Sequence, residues 1–301
     1  MATCSTCPHA CSPGPGGVGR CRARVANADA SRIECRAYGR ITSIALDPIE
    51  KKPIARWNPG TTVLSVGTYG CNMSCPFCQN ASIAQVGEND VPWRLYSPAE
   101  IVETAASLSN RRCIGIAYTY NEPLISWEFL RDTAMMAHAV DLANVIVSNG
   151  MANARVINEL VPYLDAANID LKCFTDEGYR TLGGDLETVK ATIETLAATP
   201  TCHLEVTTLA VPGLVDEEQV DAAASWLASL DPNITYHITR FFPRHHMSDR
   251  EPTPGSMLHR LEAVAKCHLP HVLRGNVYRA RAAGEHLDES VDYGADIVGR
   301  G

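Results

Sequence analysis

Cys71, Cys75 and Cys78 lie in the segment Gly70-Cys71-Asn72-Met73-Ser74-Cys75-Pro76-Phe77-Cys78, a C-x3-C-x2-C triplet. Three thiolates on one short loop are one ligand short of a closed zinc tetrahedron or a fully ligated iron–sulfur cube. A four-iron cluster held in this way keeps one iron open, and an open iron can bind a small molecule as well as pass electrons. Phe77, just before the last cysteine, would present a flat face to whatever occupies that iron. Zinc completed by a distant fourth ligand is the alternative, although zinc sites usually pair two-cysteine knuckles.

A second group, Cys4-x2-Cys7-x3-Cys11-x9-Cys21, has four thiolates and can close a site completely, with His9 as a spare. Zinc there would staple a segment too small to hold a core, whereas an auxiliary iron–sulfur cluster would add an electron relay. Spacing leaves both open. These two groups take seven of the twelve cysteines, and in a reducing compartment clustered cysteines point to metals rather than disulfides. The scattered Cys35, Cys113, Cys173, Cys202 and Cys267 read as small buried hydrophobes.

Other polar residues fall where strands should end. In Ala117-Tyr118-Thr119-Tyr120-Asn121-Glu122-Pro123, period-two alternation puts Gly115, Ala117, Thr119 and Asn121 on one face, small residues followed by an amide and a carboxylate. In Ala167-Asn168-Ile169-Asp170-Leu171-Lys172 the polar Asn168, Asp170 and Lys172 share a face, and polar groups on a buried strand need partners or a purpose. An Asp–Lys pair that merely fixes the core is one explanation. Ser148-Asn149-Gly150 closes another strand. His203, Glu205 and Thr207 share a face, as do His237 and Thr239; lone histidines are more often satisfied core residues than ligands. His245 and His246 read as exposed loop residues.

The elements that must position these groups follow from the texture of the chain. Residues 1–60 are rich in glycine, proline and cysteine, with a strand pair expected around 36–46, and read as a small cysteine-rich, metal-stapled cap. From residue 61 short β-branched runs alternate with alanine-rich helical stretches, the mark of βα units. Strands are expected at 63–66, 114–119, 144–147, 167–171, 203–209 and 234–240, with helices at 98–108, 126–140, 154–164, 186–198 and 217–230 and another in the stretch after Cys78. A helix near 257–267, a short strand at 271–274 and a polar tail at 279–301 complete the reading. Six strands with crossover helices predict an α/β fold, a partial (β/α)6 TIM-like barrel spanning 61–278, with its chemistry at the C-terminal ends of the strands. The cysteine loop directly follows the first of them.

Composition narrows the function. At 301 residues, 46% hydrophobic and 20% charged, the chain suits a soluble enzyme. A formal net charge of −8 with no basic run argues against nucleic acid as a partner. With no basic-then-apolar leader and no apolar stretch long enough to cross a bilayer, no membrane association and a cytoplasmic location are expected.

Taken together, Cys7-Pro8-His9-Ala10-Cys11, Asp47-Pro48-Ile49-Glu50-Lys51-Lys52-Pro53, Gly70-Cys71-Asn72, Cys78-Gln79-Asn80, Thr119-Tyr120-Asn121-Glu122-Pro123, Asn168-Ile169-Asp170-Leu171-Lys172 and Gly275-Asn276-Val277 resemble the radical S-adenosylmethionine (SAM) enzymes of the AmmeMemoRadiSam system. That group sits within the pyruvate formate-lyase activating enzyme-like family. The resemblance implies a [4Fe-4S] cluster on Cys71, Cys75 and Cys78 and reductive cleavage of SAM to a 5′-deoxyadenosyl radical, which abstracts hydrogen from a substrate, with a protein or peptide expected. It implies SAM contacts from Phe77 near the adenine, Asn121 and Glu122 at the amino group, Asp170 and Lys172 at the carboxylate and ribose, and Ser148 and Asn149 at the ribose. It also implies a low-potential donor of flavodoxin or ferredoxin type, and Memo-like and AMMECR-like partners. A glycyl-radical enzyme activase and a non-catalytic iron–sulfur electron carrier are the rival readings.

Overall fold

The computed structural model describes residues 1–277. In chain order its elements are β1 (Arg24–Ala26), β2 (Ile33–Cys35), β3 (Arg40–Ile41), β4 (Ser43–Pro48), β5 (Thr62–Gly67), α1 (Ala81–Ala84), β6 (Arg94–Leu95), α2 (Pro98–Ser107), β7 (Cys113–Tyr118) and α3 (Trp127–His138). Then follow β8 (Ala143–Ser148), α4 (Ala154–Leu160), β9 (Ala166–Asp170), α5 (Asp176–Thr181), α6 (Leu186–Ala197), β10 (His203–Ala210), α7 (Glu217–Leu230), β11 (Thr235–Arg240), α8 (Gly255–Ala265) and β12 (Val272–Gly275).

One eight-stranded sheet runs in the order β12-β11-β10-β9-β8-β7-β5-β4. Every neighbouring pair in it is parallel except β4 with β5. Strand alternation divides the interior. Leu64, Ile116, Ile146, Ile169, Val206 and Ile238 join the large core with the buried faces of α2, α3, α4, α6, α7 and α8. The opposite parity, Val63, Ala117, Val145 and Ala166, packs on Ile49 and Ile54. All these helices therefore cover one face of the sheet, as in the partial barrel expected, with β12 extending the six strands.

Local chemistry sets the helix starts. Ser97 and Glu100 form a capping box at α2 with Pro98 in the first turn. Asp185 and Asp216 accept the N–H of Thr188 and Gln219 at the starts of α6 and α7. Each junction fixes the angle at which the chain returns for the next parallel strand.

Three expectations differ. The strand pair around 36–46 does not form within itself: Arg40–Ile41 pairs with Arg94–Leu95, and Ser43–Pro48 lines the sheet edge against Thr62–Gly67. Because Ser43–Pro48 belongs to the sheet, the division expected at residue 60 falls inside the sheet-bearing body. Cys267 is exposed rather than buried, since it follows α8 on the side facing water. The expected tail, 279–301, lies outside the described residues. Among those described, no helix is long and apolar enough to cross a membrane.

The segment before residue 37 packs on the body through polar contacts. Arg24 donates to both carboxylate oxygens of Glu128 at 2.8 and 2.6 Å and to the Ile125 carbonyl at 2.9 Å. Asn153 donates its N–H to Thr6 O and its amide to Ser5 O, each at 2.9 Å.

Candidate active site

The cysteine loop begins where β5 ends. Gly70 has φ of +88°, and a Cβ on it would lie 2.3 Å from the Cys21 carbonyl, so only glycine lets the two cysteine segments meet. Residues 71–78 then fold back under several tethers. Ser74 N–H donates to Leu182 O at 2.9 Å, Gln85 Nε2 to Met73 O at 3.0 Å, Asn80 Nδ2 to Tyr120 O at 2.7 Å, and His246 N–H to Pro76 O at 2.9 Å. The expected helix after Cys78 is the single turn α1. Phe77 is buried at 5% exposure among the residues of the main core.

Cys75 is buried and Cys71 and Cys78 half-buried. Burial pushes all three thiols up, Cys75 to about 11, while the nearby Lys172 charge pulls Cys75 and Cys78 the other way. Cys71 Sγ takes hydrogen bonds from Met73 N–H at 3.4 Å and Asn149 Nδ2 at 3.6 Å. Donors and a cation aimed at sulfur suit thiolates bound to a metal group. A cube of four irons and four sulfides takes thiolates at its corners, and three cysteines on one loop are the donor set that holds such a cluster with one iron open.

Glu122, at the end of β7, is 3% exposed. Its carboxylate accepts from Ser148 Oγ at 2.7 Å, Asn149 N–H at 2.8 Å and Leu124 N–H at 2.9 Å. Burial raises it from 4.5 to about 7 against those three donors, with Asp170 adding to the rise. A carboxylate offers about four lone-pair positions, so one is left for a further donor. Ser148 and Asn149 are thus held at the end of β8 by Glu122, and Asn149 carries the contact on to Cys71 and to Asn72 Oδ1 at 3.0 Å.

From β9, Asp170 and Lys172 pair at 2.6 Å. Asp170 and the cysteine thiolates hold Lys172 in its charged form despite burial. The same lysine lies within electrostatic range of Cys75 and Cys78. Asn121 is employed differently: its Oδ1 accepts Thr68 N–H at 2.9 Å, and its amide donates to Thr68 Oγ1 and Gly70 O, both at 3.0 Å. Its amide hydrogens are engaged in clamping the entry to the cysteine loop.

The fold thus gathers Cys71 with Glu122, Ser148 and Asn149, and Cys75 and Cys78 with Asp170 and Lys172. Cys4, Cys7 and Cys21 are buried and Cys11 half-buried beside this loop. Asn72 was not singled out from the sequence, yet its side chain joins Asn149 and the Met151 carbonyl, the last at 2.6 Å, and its own carbonyl meets His9 at 2.8 Å. Its one sequence signal is its place directly after the first cysteine of the triplet. Asp47 and Lys52 also went unassigned; they form a buried ion pair at 2.7 Å, and Tyr120 donates to Asp47 at 2.6 Å.

His203, Glu205 and His237 do not join the cysteines. Glu205 is fully buried near the N-terminal ends of β10 and β11, where it accepts from Ala55 and Arg56 N–H at 3.0 and 2.8 Å, contacts His203 at 2.9 Å and pairs with His237. These partners lower its carboxyl to about 2 in spite of burial. His237 is a satisfied core residue and His203 a satisfied half-buried one. His245 and His246 are exposed, as expected.

Residues 65–226 match the family described as the radical SAM superfamily. An uncharacterized protein of Methanocaldococcus jannaschii is 34% identical over 277 residues, covering 91% of this chain and 81% of its own length. Among solved structures, SuiB of Streptococcus suis bound to S-adenosylmethionine gives a TM-score of 0.55 at 11% identity, over 68% of this chain and 48% of SuiB. QueE of Escherichia coli gives 0.51 at 12% identity, over 77% of this chain and 92% of QueE. At such identities these two structures bear on the fold alone, and they share the partial barrel.

Proposed function

The chain belongs to the radical SAM superfamily, and from that premise we propose an enzyme that holds a [4Fe-4S] cluster on Cys71, Cys75 and Cys78, cleaves SAM reductively, and directs the radical at a protein or peptide substrate. One observation carries the reading: a three-cysteine loop at the C-terminal end of β5 is met by Glu122, Asn149, Asp170 and Lys172 from the C-terminal ends of β7, β8 and β9. A cluster held by Cys71, Cys75 and Cys78 would supply the one-electron reduction that cleaves the SAM sulfonium, giving methionine and the 5′-deoxyadenosyl radical that would take hydrogen from the substrate.

The chain's own residues bind and orient. Glu122 keeps one acceptor position free and receives the SAM ammonium, while Lys172, held by Asp170, offers its charge to the SAM carboxylate. Asn149 and Met73 N–H direct hydrogen bonds at Cys71 and fix its sulfur. Asn121 is a positioning residue, since it holds Thr68 and Gly70 at the loop's entry. A low-potential protein of flavodoxin or ferredoxin type supplies the electron, and Memo-like or AMMECR-like proteins are the partners this reading favours.

Anaerobic reconstitution with iron and sulfide, then dithionite and SAM, tests it. Formation of 5′-deoxyadenosine is the expected result; an intact cluster that yields none overturns the proposal.

A further inference from the structure

The four N-terminal cysteines are built as ligands rather than as ordinary core. Cys4, Cys7 and Cys21 are buried at 8, 6 and 7% exposure. Cys11 Sγ accepts Arg20 N–H at 3.5 Å. Cys4 N–H donates to Cys11 O at 2.8 Å and Ala10 N–H to Cys7 O at 3.2 Å, so the backbone closes this segment around its cysteines. Two of its turns pass through left-handed residues, Ala10 at φ of 44° and Arg22 at 65°. An N–H aimed at sulfur, as at Cys11, stabilises charge on it, and a neutral apolar thiol has no use for one.

The place of the site speaks to its occupant. Zinc has no redox chemistry, whereas an iron–sulfur cluster passes electrons, and this segment is joined to the loop proposed to need one.

The two cysteine groups are also joined. His9, two residues after Cys7, has its Nε2 2.8 Å from the Asn72 carbonyl oxygen, and the Asn72 side chain reaches Asn149. Asn72 is covalently next to Cys71. A continuous path of bonds and one hydrogen bond therefore leads from Cys7 to Cys71.

We propose that Cys4, Cys7, Cys11 and Cys21 hold a second iron–sulfur cluster, fully ligated by cysteine and coupled through Asn72 to the loop of Cys71, Cys75 and Cys78. With no open iron it binds no substrate; it takes one electron from a low-potential one-electron donor, reducing one ferric iron to ferrous, and gives that electron up to the neighbouring site. The half-buried Cys11 marks the side nearest solvent.

The full chain carrying Cys71→Ala, Cys75→Ala and Cys78→Ala, reconstituted anaerobically with ferrous iron and sulfide, should keep about four iron and four sulfide per chain with a charge-transfer band near the visible. Adding Cys7→Ala and Cys21→Ala should remove them. One zinc and no iron overturns the proposal, and so does a folded triple variant, judged by circular dichroism, that holds no metal. If the triple variant does not fold, the unaltered protein decides: about eight iron per chain supports the second cluster and about four refutes it. Production of 5′-deoxyadenosine at about four iron would leave the proposed function standing and sink this one; about eight iron with no 5′-deoxyadenosine does the reverse. Coupling is read from the reduced protein's electron paramagnetic resonance spectrum, which should depart from the sum of the spectra of the two single-site variants. A simple sum refutes the role given to Asn72.

Discussion

Substituting Glu122→Gln should weaken SAM binding by an amount that depends on pH. In the protein its carboxyl is raised from 4.5 to about 7 by burial, so keeping it charged above pH 7 costs roughly 3 kcal/mol. A ligand ammonium placed at its remaining lone pair recovers part of that cost, and a charge-assisted hydrogen bond of this kind contributes about 1.5–3 kcal/mol. The variant should therefore bind SAM about 10- to 100-fold more weakly at pH 7.5. At pH 5.5 the unaltered carboxyl is itself protonated, and the two proteins should bind alike. The sign follows from linkage: the raised carboxyl favours the folded, ligand-free state when protonated, so affinity for a cation grows as pH rises through 7. Titration of SAM itself is common to both proteins and cancels in the ratio. Stability should change little at pH 8. There the glutamine amide opposes Asn149 N–H at a cost of about 1–3 kcal/mol, while the burial of a charge is relieved. Equilibrium binding of SAM to both reconstituted proteins between pH 5.5 and 8, with melting curves as the folding control, measures the ratio. A ratio that stays constant across that range would refute a SAM ammonium at Glu122.

Cys75→Ala should abolish both the visible absorption of the loop cluster and 5′-deoxyadenosine formation, read by spectroscopy and chromatography. Lys172→Met should keep the iron content and lose about tenfold in SAM affinity, the loss of one charge-assisted bond; unchanged affinity with a full cluster counts against the carboxylate contact. At Glu205 the folded carboxyl, at about 2, lies below the ordinary 4.5, so its contribution of roughly 3 kcal/mol is present above pH 4.5 and fades as pH falls toward 2. Glu205→Gln should cost about that much at pH 7 in urea unfolding, and equal stability of the two proteins would show that the His203 and His237 contacts are dispensable.

Much of the positioning was legible because it rests on local signals. Short β-branched runs located β5 and β7 through β11 within a residue or two, and the alanine-rich stretch 217–230 is α7. Non-local partners were not. The edge strand β4 pairs with β5 beyond an intervening loop, and nothing in 36–46 points there. The short α5 escaped notice because Gly178 sits within it and its start depends on Thr175 accepting Gly178 N–H. In the site, residue type and strand-end position gave Glu122, Asp170 and Lys172. They did not reveal that the Asn121 amide is engaged by Thr68 and Gly70, because a sequence shows donors without showing who takes them. Face patterning put His203 beside Glu205, but the backbone N–H groups of Ala55 and Arg56 that complete the network come from about 150 residues earlier.

The tether between Ser74 and Leu182 orders events in time. The triplet emerges from the ribosome about a hundred residues before the carbonyl that holds it, an interval of roughly 5 to 20 s at ordinary bacterial and eukaryotic synthesis rates. Met151, whose carbonyl anchors Asn72, also arrives late. The nascent chain thus exposes its cysteines before the cradle exists. Iron delivered during translation meets a floppy chelator, and iron delivered after release meets a finished socket; expression that slows synthesis lengthens the first period at the expense of correctly loaded protein.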